Sequence, residues 1–141
     1  MNDVYGWHFA PDTMTLAQGD GRPIVDGETL TVEGEIILCE NGLHASRRAL
    51  DALVYADQAG TDRVCACRVR LSGTVIPDVD GDKHAASERT CEWHLSPGDT
   101  ERVLRAFARQ CAADVLHLWD APDVVRQYIM TGDNRYAARA A

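Results

Sequence analysis

Residues 63–71 read RVCACRVRL, a run in which apolar and basic side chains alternate. Alternation with a period of two is typical of a β-strand with one buried face. The apolar face would carry Cys65, Cys67, Val69 and Leu71. We therefore predict a strand here, with its two cysteines acting as small buried apolar residues.

The segments on either side of this strand also have strand and turn signals. The predicted strands are Val4–Phe9, Thr29–Val32, Glu35–Cys39, Arg63–Leu71 and His84–Leu95. Glu33-Gly34 separates the second strand from the third, which predicts a hairpin with Gly34 at a positive φ. Gly73–Ile76 is predicted to continue the central strand after a bulge or turn.

One helix is predicted before residue 63 and two after residue 95. Ser46 is placed as the N-cap of the first helix, Ser46–Asp57, with Gly60 as its stop. Ser96-Pro97 is predicted to begin the second helix, and Asp120 to cap a third helix that ends at Thr131-Gly132. The second helix carries an apolar stripe, which we expect to be buried. The stripe includes Phe107, Cys111, Val115, Leu116 and Trp119.

These elements predict an α+β fold: a mixed or antiparallel sheet from the N-terminal two-thirds of the chain, packed by one central helix and a C-terminal helical pair. Apolar residues make up 45% of the 141 residues and charged residues 26%, as in ordinary globular domains. We predict a single domain over residues 1–132. Residues 133–141 are rich in Ala and Arg and are predicted to be a tail.

The charge balance limits the classes of partner. There are 22 acidic and 14 basic residues, a formal net charge of −8. Because a net negative surface repels phosphate backbones, we predict no direct nucleic-acid binding and no binding to anionic membranes. The charge either serves solubility alone or suits a protein partner with a basic groove. The sequence does not indicate an oligomeric state.

The cysteines and the N-terminus bear on the compartment. Five cysteines at unrelated spacings argue against a secreted disulfide framework, so we expect no disulfide. Met1–Ala10 lacks the basic and apolar regions of a signal peptide, and no run reaches the roughly 20 apolar residues of a membrane helix. We expect a cytoplasmic protein of a bacterial host.

No convincing metal site is found in the sequence. Asp78, Asp80 and Asp82 resemble the start of a calcium loop, but Lys83 and Arg89 stand where that loop needs Gly and Glu. Cys65 and Cys67 have the wrong spacing for a zinc site. The candidates for a mixed cysteine–histidine site are Cys39, His44, His84, Cys91 and His94. We predict no metal, and a nucleophilic cysteine paired with a histidine stays open because such partners meet only in space.

The most informative stretch for chemistry is Cys39–Ser46, which places His44 and Ser46 at a strand-to-helix junction. Trp7-His8-Phe9 offers a second histidine on a short strand. One interpretation is purely structural: Gly42 makes the turn, Ser46 caps the helix, and both histidines are partly buried. The other is that His8, His44 and Ser46 converge on one cleft.

Several segments resemble an uncharacterised domain family of bacteriophage and prophage proteins. They are Gly6–Phe9, Gly34–Cys39, Gly42–Ser46, Cys65–Leu71 and the stretch from Ala106 to Pro122. The resemblance covers nearly the whole chain. It implies a phage or mobile-element origin, and it supplies no catalytic residues.

A looser resemblance is to ADP-ribosyltransferase-like folds. In that superfamily an early strand carries a His or Arg that binds NAD, a short strand end leads into an Ala-rich helix, and a later strand carries a Glu. The matching positions are His8, His44 with Ser46, and Glu88 or Glu92. His44 stands where Tyr is usual. The resemblance implies a carboxylate that stabilises the oxocarbenium-like charge as nicotinamide leaves.

Together these features predict a small acidic accessory protein of phage origin that acts by binding a host or phage protein. An anti-defence inhibitor is one concrete version, and it needs no cofactor. The alternative is an NAD-dependent transferase with His8, His44, Ser46 and Glu88 or Glu92 as its catalytic residues. The two classes differ in one requirement, since a transferase needs a concave site that holds both histidines and a glutamate.

Overall fold

The computed structural model describes residues 3–140, with side chains as far as residue 137, and it has an α+β fold. The strands are β1 (Val4–Pro11), β2 (Thr29–Thr31), β3 (Leu43–Ala45), β4 (Val64–Pro77) and β5 (His84–His94). The helices are α1 (Ala49–Leu53), α2 (Pro97–Val115), α3 (Asp123–Thr131) and α4 (Asn134–Ala140). Short 3-10 turns span Ala56–Ala59 and Leu116–Leu118.

The sheet is antiparallel throughout, as predicted for the first part of the chain. Its order is β1-β4-β5-β2, and β3 also pairs with β5. β2 lies against residues 88–90 of β5 and β3 against residues 84–86, so the two short strands share one edge of the same long strand. The long strands β4 and β5 thus hold every other strand in place.

The central strand forms for the reason that its alternation predicts. Cys65, Cys67, Val69 and Leu71 are all buried in the core of the sheet. The pairing of β4 with β5 shifts register between Ser72 and Val75, where Gly73 takes a φ of 70°. The prediction that the strand continues through residues 73–76 after a bulge is confirmed.

The predicted hairpin between Thr29–Val32 and Glu35–Cys39 is wrong. β2 pairs with β5, and residues 35–39 form a loop rather than a strand. The Asn41 side-chain amide donates 2.9 Å hydrogen bonds to the carbonyl oxygens of Glu33 and Glu35. Because these local bonds satisfy the loop's backbone, the apolar run there needs no neighbouring strand.

The predicted helix Ser46–Asp57 is shorter and starts later. α1 begins at Ala49, its N-cap position is Arg48, and no side chain caps it. Ser46 is instead joined to β1, because its N–H donates to the Trp7 carbonyl at 3.0 Å and its own carbonyl accepts from the Trp7 N–H at 2.7 Å. Gly60 closes the following 3-10 turn in the left-handed conformation, as predicted.

The chain divides into two compact units, Met1–Thr100 and Glu101–Ala141. The single domain over residues 1–132 therefore stays a prediction. Within the tail, residues 134–140 form α4, and Ala141 lies outside the described residues. In the described part of the chain, no helix combines the length and the apolar character needed to cross a bilayer.

Two expectations for the C-terminal helices are wrong. The apolar stripe of α2 is not buried: Phe107 is 47% exposed and Trp119 is 51% exposed. Periodicity shows that these residues share a helix face, but not that anything covers it. Pro122, rather than Asp120, occupies the N-cap position of α3, and Asp120 forms an ion pair with Arg126 at 3.5 Å. Gly132 ends α3 at a φ of 68°, as predicted.

Candidate functional site

The first unit contains a cavity of about 670 Å³. Its walls come from β1, β3 and β5, from the loops around residues 16–22 and 39–42, and from the helical turns at residues 52–59. Its apolar wall includes Trp7, Phe9, Leu16, Val32, Leu43 and Tyr55. Small-molecule sites in proteins have volumes of about 300–1,000 Å³, so this cavity is of the size that takes a small organic ligand.

Two glycines allow neighbouring backbone segments of the cavity wall to pack closely. A Cβ on Gly6 of β1 would lie 2.6 Å from the backbone oxygen of Ser46. A Cβ on Gly42 would lie 3.1 Å from the Cβ of Ala85 in β5, and its φ of 153° is one that L-residues rarely adopt. The glycine in the Cys39–Ser46 stretch therefore lets β3 pack closely on β5. Gly6 lets β1 approach Ser46.

This packing brings three predicted site residues to one place. His8 of β1, His44 of β3 and Ser46 all line the cavity. Sequence alone did not show that β1 and the residues after β3 are neighbours, and the paired hydrogen bonds between Trp7 and Ser46 supply that contact. A catalytic role for His8, His44 and Ser46 stays a prediction.

The two predicted glutamates do not reach the cavity. Glu88 accepts a hydrogen bond from the Ser72 hydroxyl at 2.8 Å, and Glu92 accepts one from the Arg70 Nε at 2.9 Å. Side chains alternate along a strand, and Arg89 faces the cavity from between them. Neither Glu88 nor Glu92 is part of the cavity wall, so neither supplies the glutamate that the transferase alternative needs beside the two histidines.

Arg89 is a buried cationic residue of the cavity wall. Its side chain is buried, and its Nη1 donates to the His44 carbonyl oxygen at 2.7 Å. Its Nη2 is buried with no hydrogen-bond partner, and none of the described carboxylates forms an ion pair with it. Burial lowers the pKa of Arg89 to about 10, which still leaves the guanidinium charged at neutral pH.

The two histidines of the cavity are held neutral. Burial first, then repulsion from Arg89 and from His44, keeps the pKa of His8 well below its ordinary value. Burial, followed by repulsion from Lys83 and Arg89, also lowers the pKa of His44. The His44 Nε2 accepts a hydrogen bond from the Cys39 N–H at 3.3 Å, which requires that nitrogen to be unprotonated.

Lys83 provides a second cation in the wall. Its Nζ donates to the Cys39 Sγ at 3.0 Å and lies 4.6 Å from the centre of the Tyr55 ring. The hydrogen bond to Cys39 is the main reason that the pKa of Lys83 is raised. Cys39 itself has a positive φ of 65°, so the loop holds its thiol in an uncommon backbone conformation beside the ammonium.

Carboxylates are fewer than cations in this wall. Glu40 lines the cavity, and Asp20 lines it as an ion pair with Arg22 at 2.7 Å. The described residues contain no group of three or more His, Cys, Asp or Glu side chains arranged to hold a metal ion. The site is therefore suited to an anion rather than to a cation.

Sequence reasoning found the histidines of the site and missed its cations. In the sequence, Arg89 and Lys83 stand out only as positions that do not fit a calcium loop. One signal was available for each: Lys83 is the single lysine of the chain, and Arg89 occupies an alternating position of a predicted strand. That Arg89 faces inward depends on the register of β5 against β2, β3 and β4, which no local pattern gives.

A protein-family model matches the chain, whereas individual known proteins do not. No curated protein and no solved structure is significantly similar to the chain. A family model described as a domain of unknown function, DUF7666, matches residues 22–103, which are 82 of the 141 residues. The match includes His44, Lys83 and Arg89 and begins after His8. Because it covers more than half of the sequence, the chain belongs to the DUF7666 family.

Proposed function

We propose that this protein binds a small anionic organic ligand in the cavity of its first unit, with Arg89 holding the negatively charged group. The observation that carries the proposal is Arg89 itself, which lines the cavity and whose buried Nη2 has no hydrogen-bond partner. A buried polar group without a partner costs free energy in folding, more so when it is charged. A bound oxyanion would accept the free N–H groups and neutralise the charge.

The rest of the wall fits the organic part of such a ligand. Trp7, Phe9 and Tyr55 contribute aromatic surface, and Leu16 and Leu43 contribute aliphatic surface. Binding sites for small molecules combine a mainly apolar lining with a few placed polar groups. Lys83, on the same wall, is a second donor for a ligand that carries more than one negative charge.

Isothermal titration calorimetry with a set of anions tests the proposal. We would titrate inorganic phosphate, acetate, AMP and NAD into the purified protein and into two variants. In Arg89→Met the buried arginine of the cavity is lost, and Lys83 and Arg22 are kept. In Arg70→Met an arginine on the other face of the sheet is lost, one that pairs with Asp3 and Glu92.

We expect at least one of these anions to bind the parent and Arg70→Met equally, and Arg89→Met at least tenfold more weakly, about 1.4 kcal/mol. Equal binding by Arg89→Met and the parent, or no binding of any of the four anions at millimolar concentration, would overturn the proposal.

A second candidate is the NAD-dependent transferase. The observation that favours it is that His8, His44 and Ser46 share one cavity with Arg89, which would pair with the pyrophosphate of NAD. Since Glu88 and Glu92 do not line the cavity, the carboxylate available to stabilise an oxocarbenium-like charge is Glu40. Release of nicotinamide from NAD tests this candidate. The transferase candidate requires that the parent and Glu88→Gln release nicotinamide and that Glu40→Gln does not.

The hypothesis of a phage-derived accessory protein that binds another protein stays a prediction. Its support is the net charge of −8, which suits a basic groove on a partner, and the resemblance of its segments to phage proteins. A ligand-binding cavity is compatible with such a role. An affinity pull-down from the host, followed by mass spectrometry, tests it. A partner that the parent retains at low salt and loses at high salt would support it, and no specific partner would contradict it.

A further inference from the structure

His8 is a cavity-lining histidine whose protonation depends on the charge of Arg89. Its ring lines the cavity, and among the described residues no group forms a hydrogen bond with it. His44 differs, because its Nε2 already accepts from the Cys39 N–H. A proton entering the cavity with a ligand therefore finds a free imidazole nitrogen on His8.

Burial and the charges that face His8 explain why it is neutral. Burial is the main cause of its lowered pKa, and repulsion from Arg89 of β5 and from His44 of β3 lowers the pKa further. The other titratable groups of the wall come from the surrounding loops, from the helical turn at residue 55 and from the start of β5. They are Asp20, Arg22, Cys39, Glu40, Tyr55 and Lys83. From β4, the thiol-bearing residue Cys67 lies opposite His8 in the sheet.

Most of these groups are already engaged with one another. Asp20 pairs with Arg22, and Lys83 donates to Cys39. An anion that neutralises Arg89 removes the repulsion that Arg89 exerts on His8. It also offers an oxygen that accepts a hydrogen bond from a protonated imidazole.

Resting on the function proposed above, we propose that the anion enters the cavity together with a proton, which His8 takes up and donates in a hydrogen bond to the anion. The ligand class that this fits best is a tetrahedral oxyanion such as a phosphate monoester. Such a group has separate oxygens for Arg89 and His8 and leaves another for Lys83. The protein would then bind its ligand more tightly as the pH falls.

Sulfate is the probe for this coupling, because its own charge does not change near neutral pH. We would measure sulfate binding by calorimetry at several values between about pH 6 and pH 8, the range in which a perturbed histidine titrates. At pH 7 the titration would be repeated in two buffers that differ in ionisation enthalpy, which gives the number of protons taken up.

We expect net proton uptake, at most about one per sulfate. The dissociation constant should fall by up to about tenfold for each unit by which the pH is lowered. His8→Gln should bind sulfate without proton uptake. His84→Gln is the matched control, because His84 is also buried with a lowered pKa but does not line the cavity, and it should keep the uptake of the parent.

Nuclear magnetic resonance on the unmodified protein makes the test independent of whether His8→Gln folds. With ¹⁵N-labelled histidine, sulfate should move the His8 ring nitrogens to the positions of an imidazolium. Sulfate binding that depends on Arg89 but takes up no proton would overturn the coupling and leave the proposed function standing. Uptake that survives in His8→Gln and disappears in His44→Gln would overturn the assignment to His8. Absence of sulfate binding at every pH would overturn the coupling to His8, whereas the proposed function is decided by the four anions named above.

Discussion

Arg89 combines a cost to folding with a use in binding. It is buried with a single hydrogen bond, from its Nη1 to the His44 carbonyl, and its charge has no carboxylate partner among the described residues. Replacing a buried charge by an apolar side chain of similar length is often neutral or stabilising. We therefore expect the free energy of unfolding of Arg89→Met to equal that of the parent or to exceed it by up to about 2 kcal/mol. This range already includes the loss of one hydrogen bond worth about 1 kcal/mol.

Urea unfolding of Arg89→Met and of Arg89→Ala measures this balance. The alanine variant leaves a cavity and is expected to be less stable than the methionine variant by about 2–4 kcal/mol. A methionine variant that unfolds more than about 2 kcal/mol more easily than the parent would show that Arg89 is a structural residue, contrary to our interpretation.

The lowered pKa of His8 predicts how the stability of the protein responds to acid. In the unfolded chain the pKa of His8 is close to its ordinary value of 6.5. Below that pH the unfolded chain therefore binds a proton that the folded protein does not bind. The contribution of His8 to stability is thus fully present above about pH 6.5 and declines as the pH falls toward the folded value, by at most about 1.4 kcal/mol per pH unit.

Urea unfolding between about pH 5 and pH 8 checks this expectation. The parent should lose stability more steeply below about pH 6.5 than His8→Gln does, since the glutamine carries no titrating proton. Equal slopes for the two proteins would mean that His8 titrates normally in the folded state.

At the residue scale, sequence could identify site residues only where local pattern marks them. His8, His44 and Ser46 stand beside turn glycines and short strands, so their positions were visible. Arg89 lies in a polar strand, and its burial depends on β2, β3 and β4 pairing with that strand from distant parts of the chain. Glu88 and Glu92 were chosen from the same strand, and a shift of one residue separates the two faces of a sheet.

Among the elements, the approach of β1 to Ser46 is the contact on which the cavity depends. The Ser46 carbonyl accepts from the Trp7 N–H and leaves no room for a side chain on Gly6. In Gly6→Ala the new Cβ would meet that oxygen at 2.6 Å, and the backbone there is fixed by two hydrogen bonds. We expect Gly6→Ala to lower the free energy of unfolding by about 1–3 kcal/mol and to weaken anion binding.

Gly98→Ala is the matched control for this substitution. Gly98 lies in the first turn of α2 without a positive φ, and nothing lies within 4 Å of its added Cβ. Alanine there should stabilise the helix by up to about 1 kcal/mol. Thermal and urea unfolding of both variants test the comparison. A Gly6→Ala variant as stable as Gly98→Ala would mean that β1 does not approach Ser46 as described.

The elements with strong periodicity could be predicted, and the short ones could not. β4 has enough length and alternation to be recognised alone, and α2 has its Ser96 hydroxyl accepting from the Asp99 N–H at its start. β2 and β3 have three residues each, and their partner residues in β5 lie 39 to 61 positions further along the chain. The composition of residues 35–39 favours a strand, but these residues form a loop, and the Asn41 side chain donates hydrogen bonds to the carbonyl oxygens of Glu33 and Glu35 there.

For the molecule as a whole, the charge distribution is uneven. The chain has a net charge of −8, yet the cavity holds Arg89 and Lys83. The overall charge predicted from the sequence therefore says little about the ligand, because a cavity presents its own local potential.

The cysteines test the burial of the whole core in one experiment. Cys39 and Cys111 are exposed, whereas Cys65, Cys67 and Cys91 are buried, and all five are free thiols. The Cys91 thiol donates to the Asp26 carboxylate at 3.4 Å, and burial raises the pKa of Cys65, so neither favours the reactive thiolate. We expect a thiol reagent to modify two cysteines rapidly in the folded protein and five after denaturation without reductant.

Cys39→Ser should reduce the rapid class to one thiol and leave the slow class unchanged, because the core residues are not altered. A total below five in the denatured parent would reveal a disulfide and contradict the expectation from the sequence. More than two rapid thiols in the folded parent would mean that the sheet opens often enough to expose Cys65, Cys67 or Cys91. Since Cys67 and Cys91 also lie beside Arg89, such opening would equally remove the burial on which the anion site depends.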